Sequence, residues 1–215
     1  MRAASGCKGV SMYSLPNLLT MFRIALVPLF AIAFAFPGPS GKLAAFAIFV
    51  LAGVTDFFDG LAARRLKSYS DFGRMLDPIA DKILVATALM MLVAGGAFDG
   101  YKLIPALVIL CREILVSGLR EFLAGVRVSV PVTSIAKLKT TIQMIAIGAM
   151  ILGPTANHVV PGALAFAYVL LWVAAGLTVY TGAIYFRAGL AHIDPEPRAE
   201  RSDGQERHGG AGEAV

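Results

Sequence analysis

The chain has 215 residues, 19 Lys and Arg against 14 Asp and Glu, a net charge of +5 and a hydrophobic fraction of 57%. Charged residues make up only 15%, against roughly a quarter in ordinary soluble domains, and the mean hydropathy is +0.73. A disordered chain and a typical soluble globule are both excluded, which leaves an integral membrane protein.

Residues 1–12 have no apolar core and read as a flexible N-terminal tail rather than a signal peptide. Cys7 lacks the hydrophobic stretch that would precede it in a lipoprotein signal, and Met12 is a candidate start. Six apolar stretches follow, over approximately 16–36, 42–65, 75–97, 103–123, 134–153 and 160–187, each near the ~20 residues that a spanning helix needs. Breakers part them: Pro37-Gly38-Pro39, Ser68-Tyr69-Ser70, Gly95-Gly96, Val130-Pro131 and Gly153-Pro154. The short loops predict an all-α integral membrane bundle of six transmembrane helices, one domain over 13–190, because lipid leaves helices as the workable span for such runs. Gly148 and Gly176 are candidate points of close helix packing. Residues 191–215, rich in Arg, Glu and Gly, read as a disordered cytoplasmic tail. Cys7 and Cys111 supply no disulfide framework, and His158, His192 and His208 form no ligand cluster.

The basic residues set the orientation. Arg2 and Lys8 precede the first stretch, and Arg64, Arg65, Lys67 and Arg74 border the 66–74 loop. Arg120, Arg127, Lys137 and Lys139 border the 124–133 loop, and Arg187, Arg198, Arg201 and Arg207 close the chain. The other side receives only Lys42 and Lys102, while Arg23, Lys82 and Arg112 fall within spans. An excess of Lys and Arg marks the cytoplasmic side, so both termini and both loops are expected in the cytoplasm of an inner-membrane protein. These loops account for the pI of 9.4, and no nucleic-acid partner is implied.

Asp56, Asp59, Asp77 and Asp81 stand near the ends of the second and third stretches. A carboxylate deep in a bilayer costs about 2.5–3.5 kcal/mol on insertion scales, so four together need compensation. The first two are three residues apart and the last two four apart, so each pair shares a helix face, and the short connection can bring the pairs together. Helix capping, or pairing with Arg64, Arg74 and Lys82, suffices for one such acid but not for four at helical spacing. Convergence instead calls for a hard divalent cation, Mg²⁺ or Mn²⁺, and no thiolate or imidazole nearby suggests zinc. A proton or cation pathway is the rival reading. The intervening residues favour a ligand: Gly60 and Ala63 leave room for it beside the carboxylates, and Arg64 offers a forked donor to a phosphate or base edge. Gly73 relaxes the turn before Asp77, and Pro78 suits a first helical turn.

The pattern Asp56-x2-Asp59-Gly60-x2-Ala63-Arg64-x8-Gly73-x3-Asp77-x3-Asp81, eight fixed residues within 26 positions, resembles the signature of the CDP-alcohol phosphatidyltransferases. The likeness extends over nearly all of 13–190, through Leu15-Pro16-Asn17-Leu18-Leu19-Thr20-Met21-Phe22-Arg23, Arg112-Glu113-Ile114, Arg120-Glu121-Phe122 and Lys137-Leu138-Lys139-Thr140-Thr141. Ala136 departs from the glycine expected before the first lysine. The resemblance implies a six-helix membrane fold, a homodimer, an active site open to the cytoplasm, and transfer of a phosphatidyl group from a CDP-linked lipid to an alcohol with release of CMP. Within the family the likeness is greatest to the branch that joins CDP-diacylglycerol to sn-glycerol 3-phosphate; serine or inositol phosphate as acceptor is the alternative.

By the same resemblance, Asp56, Asp59 and Asp77 hold two Mg²⁺ or Mn²⁺ ions, while Asp81 completes the second ion's shell and acts as general base. Such ions neutralise phosphate oxygens and steady the leaving group. No Ser, Cys or His constellation suggests a covalent intermediate, so direct in-line displacement is expected. Gly60, Ala63, Arg64 and Gly73 are expected around the CDP-lipid, with Ser70, Asn17 and Thr20 as further contacts and Arg23 only snorkelling. The acceptor's phosphate needs fixed positive charge, for which Arg112, Arg120, Lys137 and Lys139 are the available cluster, with Glu113 as the partner of Arg112. Arg112 and Arg120 lie about 12 Å apart along a helix. Arg127 reads as a solvated loop charge or a contact to anionic lipid. From a different class, a divalent-cation transporter explains the acids but not Gly60, Ala63, Arg64 and Gly73. A prenyltransferase would carry its Asp-rich motifs in separate halves of a longer chain.

Overall fold

The computed structural model describes residues 15–66, 71–125 and 134–193; within them, the side chains at 15–17, 57–66, 71–75, 77–78, 81, 134–137 and 188–193 are not described. The described residues form α1 (Leu15–Ala35), α2 (Pro39–Leu66), α3 (Asp71–Ala94), a 3-10 turn at Gly100–Leu103, α4 (Ile104–Gly125), α5 (Ser134–Ala156) and α6 (Ala163–Ile193). No strand occurs among them. Helices are the economical answer to such runs, since every backbone N–H and C=O is satisfied within its own segment.

Three segments are long and apolar enough to cross a bilayer: Leu18–Ala35, Pro39–Asp56 and Ala163–Arg187. The chain is therefore an all-α, multi-pass membrane protein. Helices α3, α4 and α5, at 24, 22 and 23 residues, also have the length of a span. Their sequences are interrupted by Lys82, by Arg112 and Glu113, and by Lys139. Large apolar side chains such as Leu29, Ile32, Met90, Leu107, Ile145 and Phe166 are exposed around the outside, as expected of a surface whose solvent is lipid.

Helix α1 packs against α2 and α3, α6 packs against α4 and α5, and α2–α5 and α3–α4 contacts join the halves. Phe30 is buried between Phe34 and Phe49, with ring centroids 6.0 Å away in each case. Small residues let α2 and α5 approach closely. A methyl group at Gly148 would sit 3.2 Å from the Phe46 ring, and one at Gly53 2.9 Å from the Met144 methyl. Gly176, the other glycine expected to permit close packing, faces open space instead.

One end of the bundle gathers three turns. Gly38 and Gly162 adopt φ of 90° and 93°, conformations that a side chain would strain. The Gly162 N–H donates to Asn157 Oδ1 at 3.0 Å. The Phe34 ring lies against Gly95, and the Tyr168 hydroxyl donates to the Ala97 carbonyl, which ties the turns together. Lys42, donating to the Phe34 carbonyl at 3.2 Å, and Lys102, over the Tyr168 ring, both belong to this end. The acid-bearing ends of α2 and α3 are opposite.

Three expectations about helix limits are corrected. Helix α3 begins at Asp71, so Gly73 and Pro78 lie inside a helix rather than in a turn and a first turn. An aspartate at the first position favours that earlier start, because acidic residues suit the positive dipole end of a helix. Helix α5 continues through Pro154 to Ala156; the proline falls in the last turn, where a lost hydrogen bond is least disruptive. Helix α6 runs on to Ile193, taking in the first residues of the expected tail. The tail expected at 1–12 lies outside the described residues.

Candidate functional site

Two polar clusters interrupt the apolar bundle. On α2, the buried residues Ala45, Phe49 and Ala52 form one row, and helical register carries that row on to positions 56 and 59. On α3 the buried row of Ala80, Leu84 and Ala88 runs back to position 77, with 81 beside it. By register alone, the four acidic positions follow on from these rows toward the C-terminal end of α2 and the N-terminal end of α3.

Asp56 Oδ1 is ion-paired with Arg23 Nη1 at 2.8 Å. The Arg23 side chain is 1% exposed, whereas that of Asp56 is 47% exposed. A buried guanidinium from α1 thus fixes one carboxylate oxygen while the group stays open to the outside. A carboxylate is a hard oxygen donor of the kind Mg²⁺ and Mn²⁺ take, and with its open side Asp56 fits a divalent cation. The side chains of Asp59, Asp77 and Asp81 lie outside the described residues, and no three acidic or other ligating side chains gather among the described ones. Gly60, Ala63, Arg64 and Gly73 fall within helices whose side chains there are not described, Asn17 likewise, and Ser70 lies outside altogether. Thr20 is buried on α1, three residues before Arg23. Arg23, expected only to snorkel, is instead buried and ion-paired with Asp56. The available signal was an arginine inside an apolar run, the same signal that singled out Arg112.

The second cluster joins α4, α5 and α6. Arg112 donates from Nε to the Thr178 carbonyl at 3.1 Å, from Nη2 to Thr181 Oγ1 at 3.1 Å, and from Nη1 to Glu113 Oε1 at 3.3 Å. Lys139 Nζ donates to the same Glu113 oxygen. Arg112, Glu113 and Lys139 are 13%, 19% and 4% exposed. Charges this shielded persist only when paired, yet here two cations share one carboxylate, which leaves a net positive charge. Lys82 of α3 is near enough for its charge to act on Lys139.

Of the four basic residues expected to bind a phosphate, Arg112 and Lys139 are brought together. Arg120 is exposed further along α4 and joins no ion pair among the described residues, and the Lys137 side chain is not described. The α6 residues Thr178 and Thr181 were missed; two threonines three apart within an apolar run were the signal. Near this cluster two buried polar atoms, Gln143 Oε1 and Thr178 Oγ1, have no hydrogen-bond partner among the described residues. Gln143 stands one turn beyond Lys139 on α5. An apolar groove of about 490 Å³, lined by Ala149, Leu152, Pro161 and Phe166 among others, lies at the turn end, away from both clusters.

Residues 13–180 match the family model described as CDP-alcohol phosphatidyltransferase. The chain is 47% identical over 175 residues to a protein of Rickettsia bellii, covering 81% of this chain and 94% of that one. It is 40% identical over 183 residues to one of Escherichia coli K12 (84% and 97% covered) and 37% identical over 218 residues to one of Cereibacter sphaeroides (86% and 99%). All three relatives are named CDP-diacylglycerol–glycerol-3-phosphate 3-phosphatidyltransferase.

Proposed function

The chain belongs to the CDP-alcohol phosphatidyltransferase family, and from that premise we propose that it transfers the phosphatidyl group of CDP-diacylglycerol to sn-glycerol 3-phosphate, giving phosphatidylglycerophosphate and CMP. The observation that carries this reading is identity of 37–47% over 94–99% of the length of relatives bearing that activity in their names. The enzyme works as a six-span homodimer in the inner membrane, with termini and active site on the cytoplasmic side.

Asp56, Asp59, Asp77 and Asp81 hold the divalent cations, Mg²⁺ or Mn²⁺. When bound, these supply charge neutralisation at the pyrophosphate and stabilise the departing CMP. Arg23 pairs with Asp56 and orients it from behind. Gly60, Ala63, Arg64, Gly73 and Ser70, with Asn17 and Thr20 from α1, hold the CDP-lipid. Asp81 accepts the proton of the incoming hydroxyl. Arg112 and Lys139, with Arg120 and Lys137 nearer the boundary, take the acceptor's phosphate. The residual positive charge of the Arg112–Glu113–Lys139 triad supports that assignment.

The test is CMP release by purified protein given CDP-diacylglycerol and an acceptor, with and without Mg²⁺. Metal-dependent release with sn-glycerol 3-phosphate is expected. Absence of metal-dependent CMP release with every acceptor tried would overturn the reading, and preference for serine or inositol phosphate would move the chain to another branch.

A further inference from the structure

Helix α6 has no part in the site as read from sequence, yet it makes two of the three hydrogen bonds that hold Arg112. We infer that Thr181 and Gly182 of α6 are positioning residues for acceptor recognition, fixing the Arg112 guanidinium so that its two remaining N–H groups face one phosphate. The inference rests on the reading that Arg112 binds the acceptor's phosphate.

A guanidinium has five N–H groups. In Arg112, Nε is taken by the Thr178 carbonyl, one Nη2 hydrogen by Thr181 Oγ1 and one Nη1 hydrogen by Glu113. One N–H on each terminal nitrogen is left, the number a two-point grip on phosphate uses. The Thr181 hydroxyl can serve as acceptor because its own proton is taken within α6, by the Leu177 carbonyl 2.9 Å away or the Thr178 carbonyl 3.1 Å away. Its lone pair is thereby aimed across to α4.

Gly182 supplies the space. A methyl group there would stand 3.2 Å from Arg112 Cγ and 3.5 Å from its Nε, so the arginine stem lies directly on the bare α6 backbone. Glycine also leaves the Thr178 carbonyl, one turn earlier, within reach of Nε. A side chain at 182 must push the stem away by some tenths of an ångström and tilt the fork. Long arginines carry considerable rotamer freedom; α6 removes it before the ligand arrives, which is how preorganisation lowers the cost of binding.

The test compares Thr181→Val, Thr181→Ser, Gly182→Ala and Arg112→Ala in purified, detergent-solubilised enzyme, measuring KM for sn-glycerol 3-phosphate, KM for CDP-diacylglycerol and kcat. Thr181→Val keeps the side-chain shape and removes the acceptor oxygen. It is expected to raise the acceptor KM about tenfold, the loss typical of a hydrogen bond to a charged group, with the CDP-diacylglycerol KM unchanged and Thr181→Ser close to wild type. Gly182→Ala is expected to shift the acceptor KM in the same direction by a smaller factor. If Arg112→Ala raises the acceptor KM while Thr181→Val and Gly182→Ala leave it alone, the role of α6 is refuted and the phosphate assignment stands. If Arg112→Ala itself leaves acceptor kinetics normal, the phosphate assignment fails and this inference with it. Equal losses toward both substrates in Thr181→Val would mark a merely structural threonine and also overturn the proposal.

Discussion

At the residue scale, two arginines shielded within apolar helices, Arg23 and Arg112, hold the described polar groups together. Arg23 and Asp56 are 2.8 Å apart with the arginine almost fully shielded. Replacing Arg23 by Met keeps the volume and leaves Asp56 without its partner. Since the carboxylate is nearly half exposed, solvent offsets part of the loss, and a cost of about 1–2 kcal/mol is expected rather than the larger penalty of a fully buried pair. Thermal unfolding in detergent should show the variant's midpoint lowered by several degrees; an unchanged midpoint would mean that the pair holds nothing. Glu113 has the converse role, because its one carboxylate pairs with both Lys139 and Arg112. Glu113→Gln should lower the midpoint too, and inorganic phosphate should restore it more in the variant than in wild type, since an anion then replaces the missing charge. Equal effects of phosphate on both proteins would count against an anion site there. The pairing of Arg112 with Glu113 was legible because the residues are adjacent. The pairing of Arg23 with Asp56 was not, because it depends on how far α1 slides along α2, which no local spacing records.

At the scale of elements, apolar runs near twenty residues located every helix, since lipid permits little else. Their limits followed local rules less closely. Pro154 was expected to end α5 and Gly73 to sit in a turn, but a proline in the last turn and a glycine in the first are both accommodated by helices that packing already holds. The earlier start of α3 at Asp71 keeps positions 77 and 81 within one helix, four residues apart. The close approach of α2 and α5 at Gly148 supplies a test of the packing itself. Gly148→Val would drive a branched side chain into the Phe46 ring, which already stands where a methyl would be 3.2 Å away. A loss of about 1–3 kcal/mol is expected from such overpacking, read as a lowered unfolding midpoint. The same substitution at Gly176, which faces open space, should have little effect, and equal damage at both positions would contradict the packing described here.

At the scale of the whole molecule, the bundle places its described polar groups on different helices: the Arg23–Asp56 pair on α1 and α2, and the cations Arg112 and Lys139 on α4 and α5, braced by α6. The α2–α5 and α3–α4 contacts bring these halves together. On the proposed function, one half serves the CDP-lipid and the other the anionic acceptor. The division was partly visible in sequence, where acids and bases fall in separate stretches, but the bracing helices α1 and α6 were not. Their polar residues are few, and only the tertiary arrangement gives them partners. The measurement that tests the proposed chemistry most directly is a competition. Purified protein with CDP-diacylglycerol and Mg²⁺ receives sn-glycerol 3-phosphate, glycerol, serine and inositol phosphate at equal concentration, and the lipid products are weighed by mass spectrometry. Phosphatidylglycerophosphate should dominate in wild type and fall selectively in Arg112→Ala. A wild-type product built on an acceptor without phosphate would contradict the role assigned to the Arg112–Lys139 site.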